Sequence, residues 1–395
     1  MSFTALVIVC AAGFAAPLLL GFAPRIRVPA VVVEIVAGIL IGPAGLGWVT
    51  IDEPIRVLSV IGLAFLLFLA GLELDLHVLK GPRLTRALLA FGASCAIAGA
   101  ITATMKAAGL VQSASIVATI LVAAAIGMIV PVLKDAGEIA SDFGQLNIAS
   151  ASIADFGTVL LLSFFFSRAV TNPSAKAILI ATFVLLTIVA VVAIVAAEHW
   201  ARLGGVLMKL QDSTAQIRIR GAFLLLVAFA AIAERLGLEL VLGAFVGGTL
   251  LSGLDRDYQR THPKLHEKLE AIGFGVFIPV FFVATGIQFD AGALFANAST
   301  LARVPIFFVA LWVVRGLPSI LYIPIVGRRR AFVTSLLQAT SLPFIVAASR
   351  IGLDLKLLTA TNAAALVAAG LLSVLVFPAL AVIVLRASAA TAQTG

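Results

Sequence analysis

Charge is what this sequence has least of. Asp, Glu, Lys and Arg make up 12% of its 395 residues, about half the share usual in a soluble domain. With 62% apolar residues and a mean hydropathy of +1.17, the chain does not read as a soluble globular protein. Cysteine is nearly absent. Cys10 and Cys95 both sit in apolar runs and offer neither a disulfide framework nor a metal motif. The four histidines, His77, His199, His262 and His266, fall in polar breaks, which excludes a histidine proton relay at membrane depth. There is no HExxH, no GxSxG and no pair of acids placed as an aspartyl dyad, so an intramembrane enzyme is not expected. Strand-like alternation is missing, which rules out a membrane β-barrel. The first apolar run, SFTALVIVCAAGFAAPLLLGF, lacks a basic n-region and a small-residue cleavage site. It therefore reads as a span and not as a signal peptide.

What is there is a succession of apolar runs with short polar breaks. Each hydrocarbon crossing needs about 20 apolar residues. The runs predict thirteen helices, at 3–22, 28–43, 55–74, 84–108, 113–133, 144–168, 175–198, 216–236, 239–253, 269–288, 299–323, 331–352 and 357–386. This is an all-α polytopic membrane protein. An odd number of crossings puts the termini on opposite sides. Most of the 27 Lys and Arg then share one side with the C-terminus, among them Arg25, Lys80, Arg202, Lys264, Arg328, Arg329 and Arg330. The positive-inside rule makes that side cytoplasmic and the N-terminus external. The net charge of +8 is read in the same way, as basic loops and not as a nucleic-acid surface. The longest loops are short and charged and no soluble domain is apparent, so neither nucleotide nor nucleic acid is an expected partner.

The chain repeats itself. EIVAGILIG at 34–42 is similar to ELVLGAFVG at 239–247, and FLLFLAGLELD at 65–75 to VFFVATGIQFD at 280–290. At the 215-residue offset of the second pair, Gly71 meets Gly286, Asp75 meets Asp290, Gly137 meets Gly352 and Asn147 meets Asn362. Partner spans lie seven apart, so the repeat is inverted in the membrane, a plan shared by many secondary transporters. Two repeat-related spans also carry helix breakers: AAAIGMIVPVLKDAG, with Gly127, Met128 and Pro131, and LLQATSLPFIVAASRIG, with Gln338, Thr340, Ser341 and Pro343. Interrupted backbone at membrane depth is tolerated only when buried in protein or lining a cavity. Corresponding breaks in two halves point to a transport site, and two ordinary proline kinks are the plainer reading.

One acid lies halfway along a span. Asp155, in NIASASIADFG, would cost roughly 2.5–3.5 kcal/mol at the bilayer centre on insertion scales. It must therefore be protonated, paired or in contact with water. Burial disfavours a charged carboxyl and a nearby cation favours it; a carboxyl held between the two holds either a proton or a monovalent cation. The alternative is a static acid bonded to a neighbouring helix. Ser152 and Asn147 lie on about the same helix face and are candidate neutral oxygen ligands. Arg315 is the only basic residue deep in a span. Arginine stays charged, so it is a candidate fixed counter-charge, or half of a packing ion pair.

These residues resemble the monovalent cation:proton antiporter-2 family, along nearly the whole chain. FLLFLAGLELDLHVLK is similar to that family's third-span signature, IPVFFVATGIQFD to its counterpart, and LLQATSLPFIVAASRIG to its second broken helix. Asp155 matches the family's buried acid, and Arg315 its basic residue before the second broken helix. The resemblance implies a sodium/proton antiporter-like fold with two crossed broken helices. A core of about 55–168 and 269–386 would slide against a dimerisation panel of about 1–54 and 175–253 in a homodimer. Ala154 and Ala123–Ala125 depart from the family pattern, which has polar residues there. A single titrating acid would favour electroneutral exchange.

The function expected is exchange of Na+ or K+ for protons in a bacterial-type inner membrane, with Asp155 as the shared site, lipid as surroundings, and no cofactor besides the transported ions. A cation-coupled symporter of an organic solute, and an ion channel or membrane sensor without coupled transport, are the alternatives.

Overall fold

A computed structural model of the chain describes residues 3–22, 29–73, 81–139, 141–166, 216–254, 264–295 and 298–392, with residues 178 and 181. The described residues are helical, without strands. In chain order the helices are α1 (Thr4–Phe22), α2 (Ala30–Ile41), α3 (Glu53–Leu72), α4 (Gly81–Ala107), α5 (Ala114–Leu121), α6 (Ile126–Asp135), α7 (Asp142–Phe166), α8 (Ile217–Arg235) and α9 (Leu240–Leu254). There follow α10 (Lys264–Ile272), continued through a π-helical turn into α11 (Ile278–Ile287), then α12 (Ala291–Phe295), α13 (Ala298–Leu301) and α14 (Arg303–Leu311). A second π turn, Trp312–Gly316, and a 3-10 segment, Leu317–Tyr322, lead to α15 (Ile323–Gln338), α16 (Pro343–Asp354) and α17 (Ala360–Ala392). The span expected at 175–198 lies outside the described residues.

Seven of the described helical stretches are long and apolar enough to cross a membrane, and Ala30–Ile41 and Leu240–Ser252 are shorter apolar helices. The chain is a multi-pass membrane protein. One stretch, Ala298–Gln338, covers what the sequence divides into two spans. The division falls at Gly327, whose φ of 79° and ψ of 165° interrupt the helical backbone. Glycine takes that left-handed φ without steric cost, and three arginines follow it. Local signals place other ends. Asp52 Oδ1 accepts the N–H of Ile55 at 3.1 Å at the start of α3, and Ser141 Oγ accepts that of Gly144 at 3.0 Å at the start of α7. Both are N-cap bonds that satisfy otherwise orphaned donors.

The chain forms two compact units. The first holds residues 1–55, 75–158 and 282–395; the second holds 56–74 and 159–281. Each contains a glycine crossing between repeat-related elements. In the first unit a Cβ on Gly286 would stand 2.1 Å from the carbonyl oxygen of Ile35 in α2. In the second a Cβ on Gly71 would stand 2.1 Å from the carbonyl oxygen of Phe245 in α9. Gly71 and Gly286 are the repeat-related pair, and α2 and α9 carry the other repeated motif. Each motif glycine of one half thus packs on the motif helix of the other half. In the second unit Phe65 also stacks on Phe277, with ring centroids 5.5 Å apart.

Among the described residues two spans are broken. α5 and α6 are separated by 122–125, and α15 and α16 by 339–342. The second break falls where Ser341 and Pro343 predict it, with Pro343 in the first position of α16. There its missing N–H costs nothing. The first break corrects the sequence reading. It lies at Val122–Ala125, upstream of the expected breakers, and Gly127 and Pro131 are inside α6. At those two positions only the backbone is described. Alanine is the strongest helix former, so Ala123–Ala125 carry no local reason to stop; the reason is supplied by other helices.

Candidate functional site

The site is built where the two breaks meet α7. Asp155, 7% exposed, projects from the middle of α7. Its Oδ2 accepts the backbone N–H of Ile126 at 3.1 Å, the first residue of α6. The first N–H groups of a helix have no intrahelical acceptor and carry its partial positive charge. The carboxylate therefore supplies the cap that Ala125 lacks. The other oxygen, Oδ1, is buried without a hydrogen-bond partner among the described residues. The Ser341 hydroxyl reaches across from the second break and donates to the Ala124 carbonyl at 3.3 Å. Ser373 of α17 supports the second break from behind: its Oγ accepts the Ser341 N–H at 3.3 Å and lies 3.3 Å from the Ser341 carbonyl oxygen. The two breaks are thus tied to each other and to two long helices.

Arg315 occupies a neighbouring network. It is 5% exposed and sits in the Trp312–Gly316 π turn. Such turns recur at functional sites. Gly316 brings this turn close to α15, since a Cβ there would be 3.0 Å from the Ser335 carbonyl oxygen. One turn along α15, Gln338 Oε1 accepts from Arg315 Nη2 at 2.7 Å. Arg315 Nη1 reaches Ser94 Oγ of α4 at 3.4 Å. Gln338 Nε2 donates in turn to the Asn147 carbonyl at 2.9 Å. Arg315 and Asp155 lie within each other's electrostatic reach but form no ion pair.

The expected site residues therefore divide into groups. Asp155 and Ser341 meet at the crossing, through the backbone of Ile126 and Ala124, which were not among the expected residues. Asn147 belongs with Gln338 and Arg315. Its Nδ2 donates to Phe143 O at 2.8 Å and Thr334 Oγ1 at 3.1 Å, and its Oδ1 has no partner among the described residues. Eight residues of helix put it about 12 Å from Asp155 along the axis. Ser152, one turn from Asp155, is 2% exposed. Thr340 is fully buried and its hydroxyl donates to Leu336 O at 3.2 Å, within its own helix end. Met128 lies in the first turn of α6, its N–H donating to Ala125 O at 3.0 Å. Ala154 is fully buried, in an apolar cluster with Ala124, Ile126, Ala151 and Leu337. Its methyl brings no oxygen to the site.

Sequence reasoning missed Ser94, Thr334 and Ser373, and also the pair of Ser150 and Tyr322, whose hydroxyls lie 2.8 Å apart. All are polar residues inside apolar spans, and Tyr322 is one of only two tyrosines in the chain. That was the available signal.

Known proteins fall in with this geometry. The family model described as "Sodium/hydrogen exchanger, transmembrane" matches residues 11–387. The putative Na(+)/H(+) antiporter YjbQ of Bacillus subtilis is 30% identical over 93% of this chain. That match spans only 60% of the relative's own length. The Na(+)/H(+)-K(+) antiporter GerN of Bacillus cereus is 28% identical over 67% of this chain and 68% of its own length. Among solved structures, the sodium proton antiporter MjNhaP1 of Methanocaldococcus jannaschii shares the fold at a TM-score of 0.63, over 97% of this chain and 98% of that one, at 16% identity. With its crossed breaks and a match that runs nearly end to end, the chain belongs to the transmembrane sodium/hydrogen exchanger family.

Proposed function

We propose that the chain is a secondary active transporter that exchanges a monovalent cation, Na+ or K+, for protons. The observation that carries this reading is Asp155: a buried carboxylate with one oxygen capping a broken helix and the other without a hydrogen-bond partner among the described residues. A buried acid in that position binds one positive charge at a time, a proton or a metal cation. Binding one expels the other, and alternating access turns that competition into exchange. Helix termini and unwound backbone near the midplane are the usual surroundings of such a site. The names of the relatives support Na+, and GerN's name adds K+. Membership of the antiporter-2 branch rests on the motif resemblance.

Ala154 leaves Asp155 without an adjacent polar partner, which favours one proton per cation and electroneutral turnover. The moving core of about 55–168 and 269–386, the panel of about 1–54 and 175–253, and the homodimer are carried over from the family resemblance. That division concerns what moves, whereas the two compact units concern what packs. An inner-membrane location with the N-terminus outside follows from the loop charges.

The test is a pH dye inside proteoliposomes, challenged with Na+, K+ or Li+ in turn. A cation-triggered pH change that is lost in Asp155→Asn supports exchange. Correctly folded protein that responds to no cation refutes it, and saturable solute uptake would favour the symporter.

A further inference from the structure

Arg315 presents a puzzle of pairing. It is a buried cation and Asp155 a buried acid in the same unit, within electrostatic reach of each other. Arg315 Nε has no hydrogen-bond partner among the described residues, and neither has Asp155 Oδ1. An orphaned buried polar atom is costly, more so when charged. A guanidinium and a carboxylate are the side chains best shaped to satisfy each other. What stands in the way is a hold on neutral partners: Gln338 Oε1 at 2.7 Å and Ser94 Oγ at 3.4 Å. Gln338 is itself anchored, because its Nε2 donates to the Asn147 carbonyl. Its carbonyl oxygen is engaged by Arg315, so Gln338 is poorly placed to serve as a cation ligand.

We propose that Gln338 is a positioning residue that holds Arg315 on neutral partners and so keeps the guanidinium off Asp155. This rests on Asp155 being the exchange site. Held by Gln338, Arg315 is a fixed positive charge that leaves Asp155 Oδ1 open to a transported ion. Released, it becomes a tethered competitor for the same oxygen. Ser94 contributes the weaker half of the hold.

The experiment measures cation affinity in purified full-length protein from the Na+-dependent rise in melting temperature, which reads binding without requiring turnover. KM and kcat for Na+ are measured alongside in proteoliposomes. Gln338→Leu is expected to weaken Na+ binding and raise KM about 10-fold, equivalent to about 1.4 kcal/mol, with kcat changed about twofold or less. Gln338→Glu still offers Arg315 an acceptor oxygen and is expected to keep KM within about twofold of the native value. In an Arg315→Gln background the further change Gln338→Leu is expected to add nothing, because the competitor is gone. Full additivity in that double variant, or unchanged Na+ affinity in Gln338→Leu, overturns the proposal. Should Gln338→Leu fail to fold, the pair Ser94→Ala and Gln338→Glu decides: weakened Na+ binding in the first with near-native binding in the second supports the hold, and any other pattern overturns it. The same measurements are made with K+ if the native protein responds to K+ and not to Na+; absence of binding and exchange with either cation in the native protein would instead remove the reading of Asp155 on which the proposal rests.

Discussion

The two helix breaks solve one problem in opposite ways. At the first, Ala123–Ala125 bring no polar side chain, and the exposed backbone ends are met from elsewhere: Asp155 caps Ile126 and Ser341 binds Ala124 O. At the second, Ser341 sits in the break itself and is braced by Ser373. The repeat sharpens the contrast. At the 215-residue offset Asp155 corresponds to Gly370, and a Cβ on Gly370 would lie 3.2 Å from Ser341 O. Equivalent positions on α7 and α17 therefore face equivalent breaks, one with a carboxylate and one with nothing. A symmetric scaffold has been made to carry a carboxylate at one break only. A second buried acid beside the first would repel it, so the asymmetry is what keeps one site single.

That contrast can be broken most severely at its charged side. Asp155→Asn should reduce exchange to background in the proteoliposome assay while leaving a folded protein, since an amide oxygen can still accept from Ile126. Next in size is Gly370→Asp, which places an acid at the second break without a partner. An unpaired buried charge costs about 3–5 kcal/mol, so a large loss of thermal stability in detergent is expected. A stable variant with a second titrating site would show that the two breaks are interchangeable. The glycine crossings test the symmetric part of the scaffold. Gly71→Ala and Gly286→Ala each drive a methyl into a backbone oxygen and should each cost about 1–3 kcal/mol. Unequal losses in thermal unfolding would show that the halves are packed differently. Ser341→Ala removes the long bond between the breaks and should cost about 1 kcal/mol. The smallest effect is expected from Arg330→Gln. It opens the 2.7 Å pair with Glu138, but Arg330 is largely exposed, and such pairs contribute about 1 kcal/mol or less.

Much of this was legible in the residues. The spans follow from apolar run length, and most described helices begin and end within a few residues of those expected, α10 and α15 starting somewhat earlier and α17 ending later. The second break was legible because Ser341-Leu342-Pro343 disfavours helix locally. The first was displaced because its cause is not local: Pro131 is accommodated within α6, while three alanines unwind to meet Asp155 and Ser341. Asp155 stood out as an acid in an oily helix. The grouping of Asn147 with Arg315 instead of Asp155 did not, because a helix face is a direction and not a contact.

By itself, the sequence determined that the chain lives in a membrane, that it is built twice over in opposite orientations, and that one acid lies halfway along a span and one arginine deep in another. These follow from composition and spacing, since the hydrocarbon core penalises every charge and every unpaired backbone group wherever it falls. Only the tertiary structure decided where the first helix unwinds, which oxygen of Asp155 caps α6, and that Arg315 rests on Gln338 and Ser94. Those outcomes depend on hydrogen bonds between residues as far as 221 positions apart in the chain, and such bonds form only when the helices that carry them have packed.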